Sequence, residues 1–415
     1  MTRAQAEKEE TLYDRKDEAY FSYYSMLTHQ AQMLQDAVRT STYQNAIVLH
    51  PSSFEGTFVA PPKLTADKVV MDVGAGNGIL SLFAIQAGAK VVYAVEAAGV
   101  VACLHRLVDA AAPEDDDAPN AWVRDKLAIV HSRIEDVTPQ KLTASLPKKI
   151  QAEEGKVDTL VSECLGVLLV HERMCESYID ARDRFLRPEG AMFPRTGSLC
   201  FSLLSDARLW SEVHARGEWW NTENFYGVNL TPFLDASRKE AFMSPVIGCF
   251  SPSHVVGART DPVTAAYMCP DDVVSRYLVD FSSISMEELR EFDVPVAWDC
   301  VEEPVVVHGL GAWFDLSFLQ AGEEYKNDTN GTMTTSPFAP ATHWAQVRML
   351  FTEPLALNRG QRVLGTLHFK VNESRSYDIQ GTFHVPLDDG LPLFTRTAFW
   401  KLDKQTYSWE TTGPV

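Results

Sequence analysis

The stretch VVMDVGAGNGIL, residues 69–80, decides the fold of this chain. Its first five residues form a short apolar run typical of a buried strand, and Gly74, Gly76 and Gly78 follow at once. An apolar helical pattern then continues over residues 79–89. Such a glycine-rich turn lets the backbone approach a ligand closely, while the helix N-terminus favours polar or anionic groups. The stretch therefore predicts a strand–turn–helix unit that binds a cofactor.

Acidic residues around this turn indicate which cofactor. Glu96 ends the next strand-like run, 18 residues after Gly78, where a carboxylate can accept hydrogen bonds from a ribose diol. The glycine spacing is GxGxG, and Asp72 lies two residues before the first glycine, where it can support the loop. Both details favour S-adenosylmethionine over NAD. Glu135, in the sequence SRIEDV, falls after the following strand, where the adenine edge would lie.

The rest of the chain divides into two regions with different secondary-structure patterns. Strand-like runs at 127–134 and 157–163 alternate with helical patterns, which predicts a parallel sheet covered on both faces. After Pro194, strand-like runs separated by Pro, Gly, Asn and Asp predict an antiparallel sandwich or barrel. The predicted fold is an α/β, Rossmann-like domain that binds S-adenosylmethionine, followed by an antiparallel β-barrel. We divide it into helices at 1–47, the Rossmann-like domain at 48–195 and the barrel at 196–415.

Composition excludes some classes of function and leaves others open. The 415 residues carry 56 acids against 37 bases, a net charge of −19, which is poorly suited to binding nucleic acid directly. The same charge would steer a cationic peptide to the surface, or it serves solubility alone. Seven scattered cysteines without a CxxC pair predict a reduced, intracellular protein without a structural metal. The polar N-terminus and the lack of a long apolar run predict no secretory signal and no membrane segment.

The stretch SECLGVLLVHE, residues 162–172, places Glu163 and Glu172 nine residues apart in an apolar loop after a strand. Two carboxylates that face one pocket suit a general acid/base pair or a shared cationic guest. A guanidinium is the natural guest, because it is planar, permanently charged and able to take bidentate hydrogen bonds. The alternative is that one or both glutamates cap the next helix, since acids are favoured in a first helical turn.

Several of these motifs, in this order, resemble the protein arginine methyltransferase family. DVGAGNGILS, YAVEA, SECLGVLLVHERMCESY, FLRPEGAMFP, HGLGAWFD and THWAQV carry the resemblance, which runs from about Tyr20 to Val385. The segment YFSYYSMLTHQAQMLQDAVRTSTYQNAI and the barrel half are most similar to the coactivator-associated branch.

The resemblance implies roles for residues of the N-terminal helices. Tyr20 and Phe21 match the YFxxY motif of a helix that folds over bound cofactor. Arg39 matches the arginine that pairs with the methionine carboxylate of S-adenosylmethionine, and His29 and Met33 match positions lining the pocket. Without the resemblance, these aromatic and methionine side chains would be read as ordinary core.

It also implies roles around the substrate. Glu163 and Glu172 match the pair that holds the substrate guanidinium, and His343 matches a histidine that pairs with an aspartate, here Asp36. The proton released on methylation would leave through Glu172 or through the His343–Asp36 pair, and the sequence leaves both open. Trp344 belongs to the same family-specific loop as His343.

The implied activity is methyl transfer to arginine nitrogens of proteins such as histone tails and RNA-binding proteins. Met33 and Met174 match the two methionines of enzymes that make asymmetric dimethylarginine. The aromatic-rich segment 208–241 matches the arm through which the family forms homodimers, and the expected location is the cytoplasm and nucleus.

This chain also departs from the family's double-glutamate loop. Cys164 replaces a proline, Leu165 a methionine and Val167 a tyrosine. These changes are the only support for an alternative, a catalytically weak partner that regulates another arginine methyltransferase. A third hypothesis, an NAD-dependent oxidoreductase, lacks an identifiable catalytic group.

Overall fold

The computed structural model describes residues 18–55, 58–59, 63–64, 68–111, 117–147, 155–299, 301–322, 331–387 and 392–408. The first 17 residues of the predicted N-terminal helices, and Cys300, lie outside the described residues.

Between residues 18 and 55, four short helices precede the sheet. They are α1 (residues 18–24), α2 (Leu27–Gln35), α3 (Ala37–Val48) and α4 (Pro51–Phe54). The Asp36 side chain separates α2 from α3, because it accepts a hydrogen bond from the Arg39 backbone N–H at 2.9 Å and so caps α3. Pro51 opens α4, a position where its missing N–H costs nothing. Two strands of two residues each, β1 (Phe58–Val59) and β2 (Lys63–Leu64), follow and pair antiparallel.

A five-stranded parallel sheet forms the first domain, as predicted. Its strands are β3 (Val69–Val73), β4 (Val91–Glu96), β5 (Leu127–His131), β6 (Val157–Ser162) and β7 (Leu186–Phe193). Its helices are α5 (Ile79–Gln86), α6 (Val101–Ala111), α7 (Pro139–Ser145) and α8 (Met174–Phe185). The strand order is β5-β4-β3-β6-β7, so the chain reverses direction across the sheet between β3 and β6. Ligands of open α/β sheets bind at the carboxyl ends of the strands beside such a switch point.

Two sheets follow, antiparallel except for one short parallel pair between Val246–Ile247 and Thr406–Tyr407, and the predicted barrel-like half is confirmed. The larger sheet contains β8 (Thr196–Leu204), β9 (Val246–Ile247), β12 (Ser275–Asp280), β14 (Val305–Ser317), β15 (Thr332–Thr334), β16 (Val347–Leu357) and β20 (Thr406–Tyr407). The smaller sheet contains β13 (Glu291–Trp298), β17 (Val363–Val371), β18 (Tyr377–Pro386) and β19 (Pro392–Lys401). The short helix α11 (Met286–Arg290) leads into β13, and β10 (Arg259–Thr260) pairs with β11 (Tyr267–Met268) in a separate hairpin.

The core of this half lies between the two sheets. Burial alternates strictly along β13, so Phe292, Val294, Val296 and Trp298 point inward. The buried indole of Trp298 donates to the Phe201 carbonyl of the larger sheet at 3.1 Å. Trp400 of β19 donates in the same way to Leu350 of β16 at 3.0 Å. Each tryptophan thus joins the sheets by packing and by a satisfied polar group.

Two helices project from the larger sheet between β8 and β9. They are α9 (Ala207–Glu218) and α10 (Leu234–Met243), with an aromatic loop between them. Trp210 anchors the base of α9, because its indole donates to the Phe351 carbonyl at 2.8 Å. Tyr226, at the tip, is 93% exposed. Within the described parts of the chain, no helix is both long and apolar enough to span a bilayer.

Candidate functional site

The glycine turn lies at the carboxyl end of β3, and its three glycines have left-handed backbone angles. Gly74, Gly76 and Gly78 have φ values of 72°, 55° and 84°. A Cβ at Gly78 would lie 2.1 Å from Leu104 Cδ2 of α6, so a larger residue would have to displace that side chain in addition to straining the turn. The turn therefore exposes backbone to the cleft while α5 starts directly behind it.

Glu96, at the end of β4, faces the glycine turn. One carboxylate oxygen accepts from the Gly76 N–H at 2.7 Å and the other from the Ala98 N–H at 2.5 Å. The side chain is buried, and burial raises its pKa even though these backbone donors oppose the shift. Each oxygen retains a further lone pair, which fits the predicted role of accepting hydrogen bonds from a ribose diol.

Asp72 lies beneath the turn in β3 and is not on the wall of the cleft. Its carboxylate accepts from the Ser81 hydroxyl of α5 at 2.7 Å. Burial raises the pKa of Asp72 to about 7. This placement fits the predicted role of supporting the loop, through a bond that joins β3 to α5.

Glu135 belongs to a small side cavity of about 50 Å³ next to the turn. The cavity is also lined by Phe21, Glu96 and Met174, so together with Glu135 it joins residues predicted from four separate motifs. The Glu135 carboxylate accepts from the Ser177 hydroxyl of α8 at 2.6 Å.

The main cavity, of about 400 Å³, extends from the glycine turn to the double-glutamate loop. Both Glu163, directly after β6, and Glu172 line it. Tyr20, Phe21, His29, Met33, Arg39, Gly74, Gly76, Glu96, Met174, His343 and Trp344 line it as well. One cleft therefore holds most of the predicted site residues.

Arg39 of α3 fixes Glu163. Its Nε donates to Glu163 Oε2 at 2.9 Å, a second guanidinium nitrogen reaches the same oxygen, and a third donates to the Met33 carbonyl at 3.2 Å. Burial lowers the pKa of Arg39, but the Glu163 carboxylate outweighs burial and the pKa is raised overall. These contacts use three of five N–H donors, which leaves two for a further anion in the cleft.

Glu172 is held by tyrosines of α1. The hydroxyls of Tyr20 and Tyr24 donate to Glu172 Oε2 at 3.0 and 2.8 Å. Burial raises the pKa of Glu172, the nearby Glu163 charge raises it further, and the two hydroxyls oppose the shift. The backbone of Glu172 is left-handed, with φ at 71°, in a turn that precedes α8. The glutamate thus points into the cleft and does not cap that helix.

The two glutamates share one pattern. Each is anchored through Oε2, and among the described residues neither Oε1 accepts a protein hydrogen bond. Since both side chains line the cavity, each presents an acceptor oxygen to whatever enters it. This arrangement suits a cationic guest with donors on two sides, as a guanidinium has.

The loop at residues 342–344 closes another wall from the barrel side. His343 Nδ1 lies 2.7 Å from Asp36 Oδ2, and the His343 backbone N–H donates to the same oxygen at 2.8 Å. The Asp36 pKa is lowered, because these bonds and the Arg39 N–H outweigh the opposing effect of burial. Trp344 is buried, and its indole donates to the Leu165 carbonyl of the double-glutamate loop at 3.0 Å.

The pocket-lining residues have contacts of their own. The His29 ring lies 4.1 Å from the Tyr23 ring and 5.0 Å from the Tyr24 ring, and burial lowers its pKa. Met33 is buried and Met174 is half-buried, and the two lie on opposite sides of the double-glutamate loop in the sequence. Both nevertheless line the same cavity.

Sequence reasoning missed several residues that build this cleft. Gln30 is buried and links α1 to the glycine turn, since it accepts from Asn77 at 2.8 Å and donates to the Tyr24 carbonyl at 2.8 Å. Arg375 and Ser376 reach the site from the turn between β17 and β18. Tyr407, on the last strand, lines the cavity mouth. Only Tyr24 carried a usable signal, as the final position of the YFxxY motif.

The described residues contain no cluster of His, Cys, Asp and Glu that would hold a metal ion. The six cysteines within the described ranges are free thiols.

Known proteins match this chain over both domains. Residues 196–386 match the family described as the arginine methyltransferase oligomerization subdomain. A probable histone-arginine methyltransferase CARM1 of Oryza sativa subsp. indica is 36% identical over 410 residues, covering 95% of this chain and 66% of the relative. This chain therefore spans a little less than two thirds of that relative's length.

Solved structures agree on the fold. Arabidopsis thaliana protein arginine methyltransferase 10 superposes with a TM-score of 0.70 at 25% identity, covering 92% of this chain and 99% of the other. A Trypanosoma brucei PRMT1 enzyme–prozyme complex with AdoHcy gives a TM-score of 0.68 at 24% identity, covering 92% and 100%. The parallel sheet and the barrel-like half have the two-domain architecture of these protein arginine methyltransferases. The chain belongs to the protein arginine methyltransferase family, and its relatives place it on the CARM1-like side.

Proposed function

We propose that this chain transfers methyl groups from S-adenosylmethionine to arginine nitrogens of proteins. The observation that carries the proposal is the pair of glutamates, Glu163 and Glu172, each anchored through Oε2 and both lining the cavity that continues to Glu96. Family membership supports it independently.

The donor set fits S-adenosylmethionine. Glu96 would bind the ribose diol, the remaining donors of Arg39 would bind the methionine carboxylate, and Glu135 with Phe21 would line the adenine end. The glycine turn permits the close backbone approach that such a ligand needs. When bound, S-adenosylmethionine supplies an electrophilic sulfonium methyl.

The glutamates would prepare the substrate arginine. A free guanidinium is a poor nucleophile because its charge is delocalised. Glu163 and Glu172 draw that charge toward their side and fix one terminal nitrogen, and such alignment contributes several kcal/mol to lowering a barrier. His343 is the proton acceptor we favour, because Asp36 holds Nδ1 and leaves Nε2 to accept.

The product and substrate class are part of the proposal. Met33 and Met174 both line the cavity, and we propose that they crowd one guanidinium nitrogen so that the second methyl joins the first. The expected products are monomethylarginine and asymmetric dimethylarginine on histone tails and other arginine-rich proteins, which also implies a nuclear role. RNA-binding proteins and a cytoplasmic fraction remain predictions.

Mass spectrometry tests the proposal directly. We expect a histone-tail peptide incubated with S-adenosylmethionine and the chain to gain mass in steps of about 14 Da, because each transfer replaces one N–H hydrogen by CH₃, and a peptide with lysine in place of each arginine should gain none. Fragment ions separate asymmetric from symmetric dimethylarginine by their neutral losses. Mainly symmetric product would contradict the role of the methionines. No transfer, combined with weak cofactor binding, would favour the regulatory-partner hypothesis.

We further propose that α9, α10 and their loop form a dimerisation arm that docks on the first domain of a second copy. The loop exposes Trp219, Phe225, Tyr226 and Phe233, more aromatic surface than a monomer leaves uncovered. The oligomerization subdomain match supports this assignment. We expect a dimer in light scattering, and a monomer after Tyr226→Asp, while Trp122→Asp, at another exposed aromatic outside the arm, leaves the dimer intact.

A further inference from the structure

Helix α1 covers the cleft, but it is too short to be stable there without contacts from the rest of the chain. It spans only residues 18–24, and none of its side chains is fully buried. A helix of this length is unstable alone, so its position depends on tertiary contacts. Its contacts include the Tyr20 and Tyr24 bonds to Glu172, the Gln30 bond to the Tyr24 carbonyl, and the packing of the Tyr23 and Tyr24 rings on His29.

A further contact comes from the barrel. Arg375 places its guanidinium carbon 4.6 Å from the centre of the Tyr20 ring, within the range of a cation–π interaction. Its terminal nitrogen also lies 3.7 Å from Met174 Sδ. Arg375 lines the side cavity together with Phe21 and Glu96, so it stands where α1 meets the cofactor end of the cleft.

The turn that carries Arg375 is built to hold this position. Arg375 has a left-handed backbone with φ at 53°, a conformation that a non-glycine residue keeps only when its surroundings impose it. Asn372 braces the turn, because its side chain donates to Asp378 and Asp403 at 2.9 Å each and accepts from the Ser374 N–H at 2.9 Å, and its backbone N–H donates to the Ser376 carbonyl at 2.8 Å.

The same turn also grips the double-glutamate loop. The fully buried Ser376 places its hydroxyl 2.8 Å from His171 Nδ1, next to Glu172 in the sequence. The Arg375 charge further lowers the pKa of Glu172, opposing the effect of burial. The turn between β17 and β18 thus contacts helix α1, Met174 and the double-glutamate loop.

We infer that Arg375 is a positioning residue that latches α1 closed over the cofactor, acting through the ring of Tyr20. The inference rests on the proposed function. It assigns to the barrel a direct part in cofactor retention, because the latch exists only while the β17–β18 turn is docked against the first domain.

Calorimetry with S-adenosylhomocysteine measures the latch without requiring turnover. Arg375→Ala should weaken binding by about tenfold, the size expected of one partly desolvated cation–π contact. The KM for S-adenosylmethionine should rise by a similar factor, with a smaller change in kcat. Arg375→Lys should restore part of the affinity, since an ammonium retains the charge over the ring. Arg362→Ala, which removes a barrel arginine paired with Asp299 on the surface, should leave affinity unchanged.

A double-mutant cycle identifies the partner. Tyr20→Phe keeps the ring and should preserve the effect of Arg375→Ala, whereas Tyr20→Leu removes the ring and should abolish most of it. Melting temperatures of all variants report folding, and Arg375→Lys provides the comparison if Arg375→Ala does not fold. Unchanged affinity in Arg375→Ala, or full additivity with Tyr20→Leu, would overturn the latch. Failure of the unaltered chain to bind S-adenosylhomocysteine would instead overturn the proposed cofactor, and the latch with it.

Discussion

The two ends of the cleft hold their carboxylates by different means. Glu96 accepts from backbone N–H groups of Gly76 and Ala98, which lie 20 and 2 residues away. Glu163 and Glu172 instead accept from the side chains of Arg39, Tyr24 and Tyr20, which lie 124, 148 and 152 residues away.

This difference separates what the first domain builds alone from what the whole chain builds. Backbone donors are fixed once the strands and the glycine turn form, so no long side chain must be ordered to hold Glu96. The partners of Glu163 and Glu172 are present only when the N-terminal helices are docked. We therefore expect substitutions at the Glu96 end to change cofactor affinity, and those at the double-glutamate end to change turnover and folding together.

The largest effect should come from Glu172→Gln. The substitution removes the charge that attracts the guanidinium while an amide oxygen still accepts from the tyrosines. Loss of one buried charged contact costs a few kcal/mol, which corresponds to a decrease in kcat of about 100-fold or more. Affinity for S-adenosylhomocysteine should change little. Glu287→Gln, at an exposed position of α11, is the control, and near-normal turnover in Glu172→Gln would remove the proposed role.

Arg39→Ala should affect both ends, because it strips Glu163 of its partner and removes donors from the cofactor pocket. Truncating one member of a buried ion pair costs ~2 kcal/mol or more in unfolding free energy. Urea denaturation should show this loss, and calorimetry should show weaker binding of S-adenosylhomocysteine. Arg208→Ala breaks an exposed pair with Glu212 and should cost under about 0.5 kcal/mol. Equal stability of the two variants would contradict the anchoring role of Arg39.

The same difference explains what the sequence could predict. The strand–turn–helix at 69–80 and the acid at Glu96 are near neighbours in the chain, and their geometry follows from local backbone rules. Strands β3 to β6 of the parallel sheet were predicted because each is rich in apolar residues and is followed by a turn or helical pattern. Strand β12 was missed, since its pattern SRYLVD carries charges and its exposed Leu278 breaks the alternation.

The contacts between distant elements were beyond local rules. The pairing of His343 with Asp36 was expected only from the family resemblance, and the structure places the two 2.7 Å apart. Arg375 and Ser376 lie in the polar turn VNESRS, which has no pattern that distinguishes it from solvent-exposed loops. Their role depends on docking of the barrel against the first domain, which no spacing along the chain encodes.

Glu96→Gln should weaken cofactor binding with little effect on turnover, in contrast to Glu172→Gln at the other end of the cleft. The amide keeps one acceptor oxygen but loses charge and one pair of acceptor sites, so the affinity for S-adenosylhomocysteine should fall by about tenfold. At saturating S-adenosylmethionine, kcat should stay within about twofold, because the side chain does not touch the substrate end. Asp136→Asn, at an exposed position just after Glu135, serves as the control. A large kcat defect at saturation would show that the two ends are not separable.

The smallest effect concerns His171, which joins the double-glutamate loop to the barrel turn. Burial lowers its pKa from 6.5 to about 4, although Asp403 opposes the shift. The unfolded chain therefore binds a proton below about pH 6.5 that the folded chain binds only near pH 4, so stability from this residue is lost as pH falls through that window. His171→Asn keeps a donor for Ser376 and should flatten this part of the pH dependence of stability.

Asp72 contributes in the opposite direction, since its raised pKa costs stability as pH rises toward 7. The difference between variant and parent cancels that contribution, so urea unfolding of both at pH 7.5, 6 and 5 isolates His171. His105→Asn, at an exposed histidine, should track the parent at every pH, and equal slopes in all three proteins would show that His171 is not held neutral.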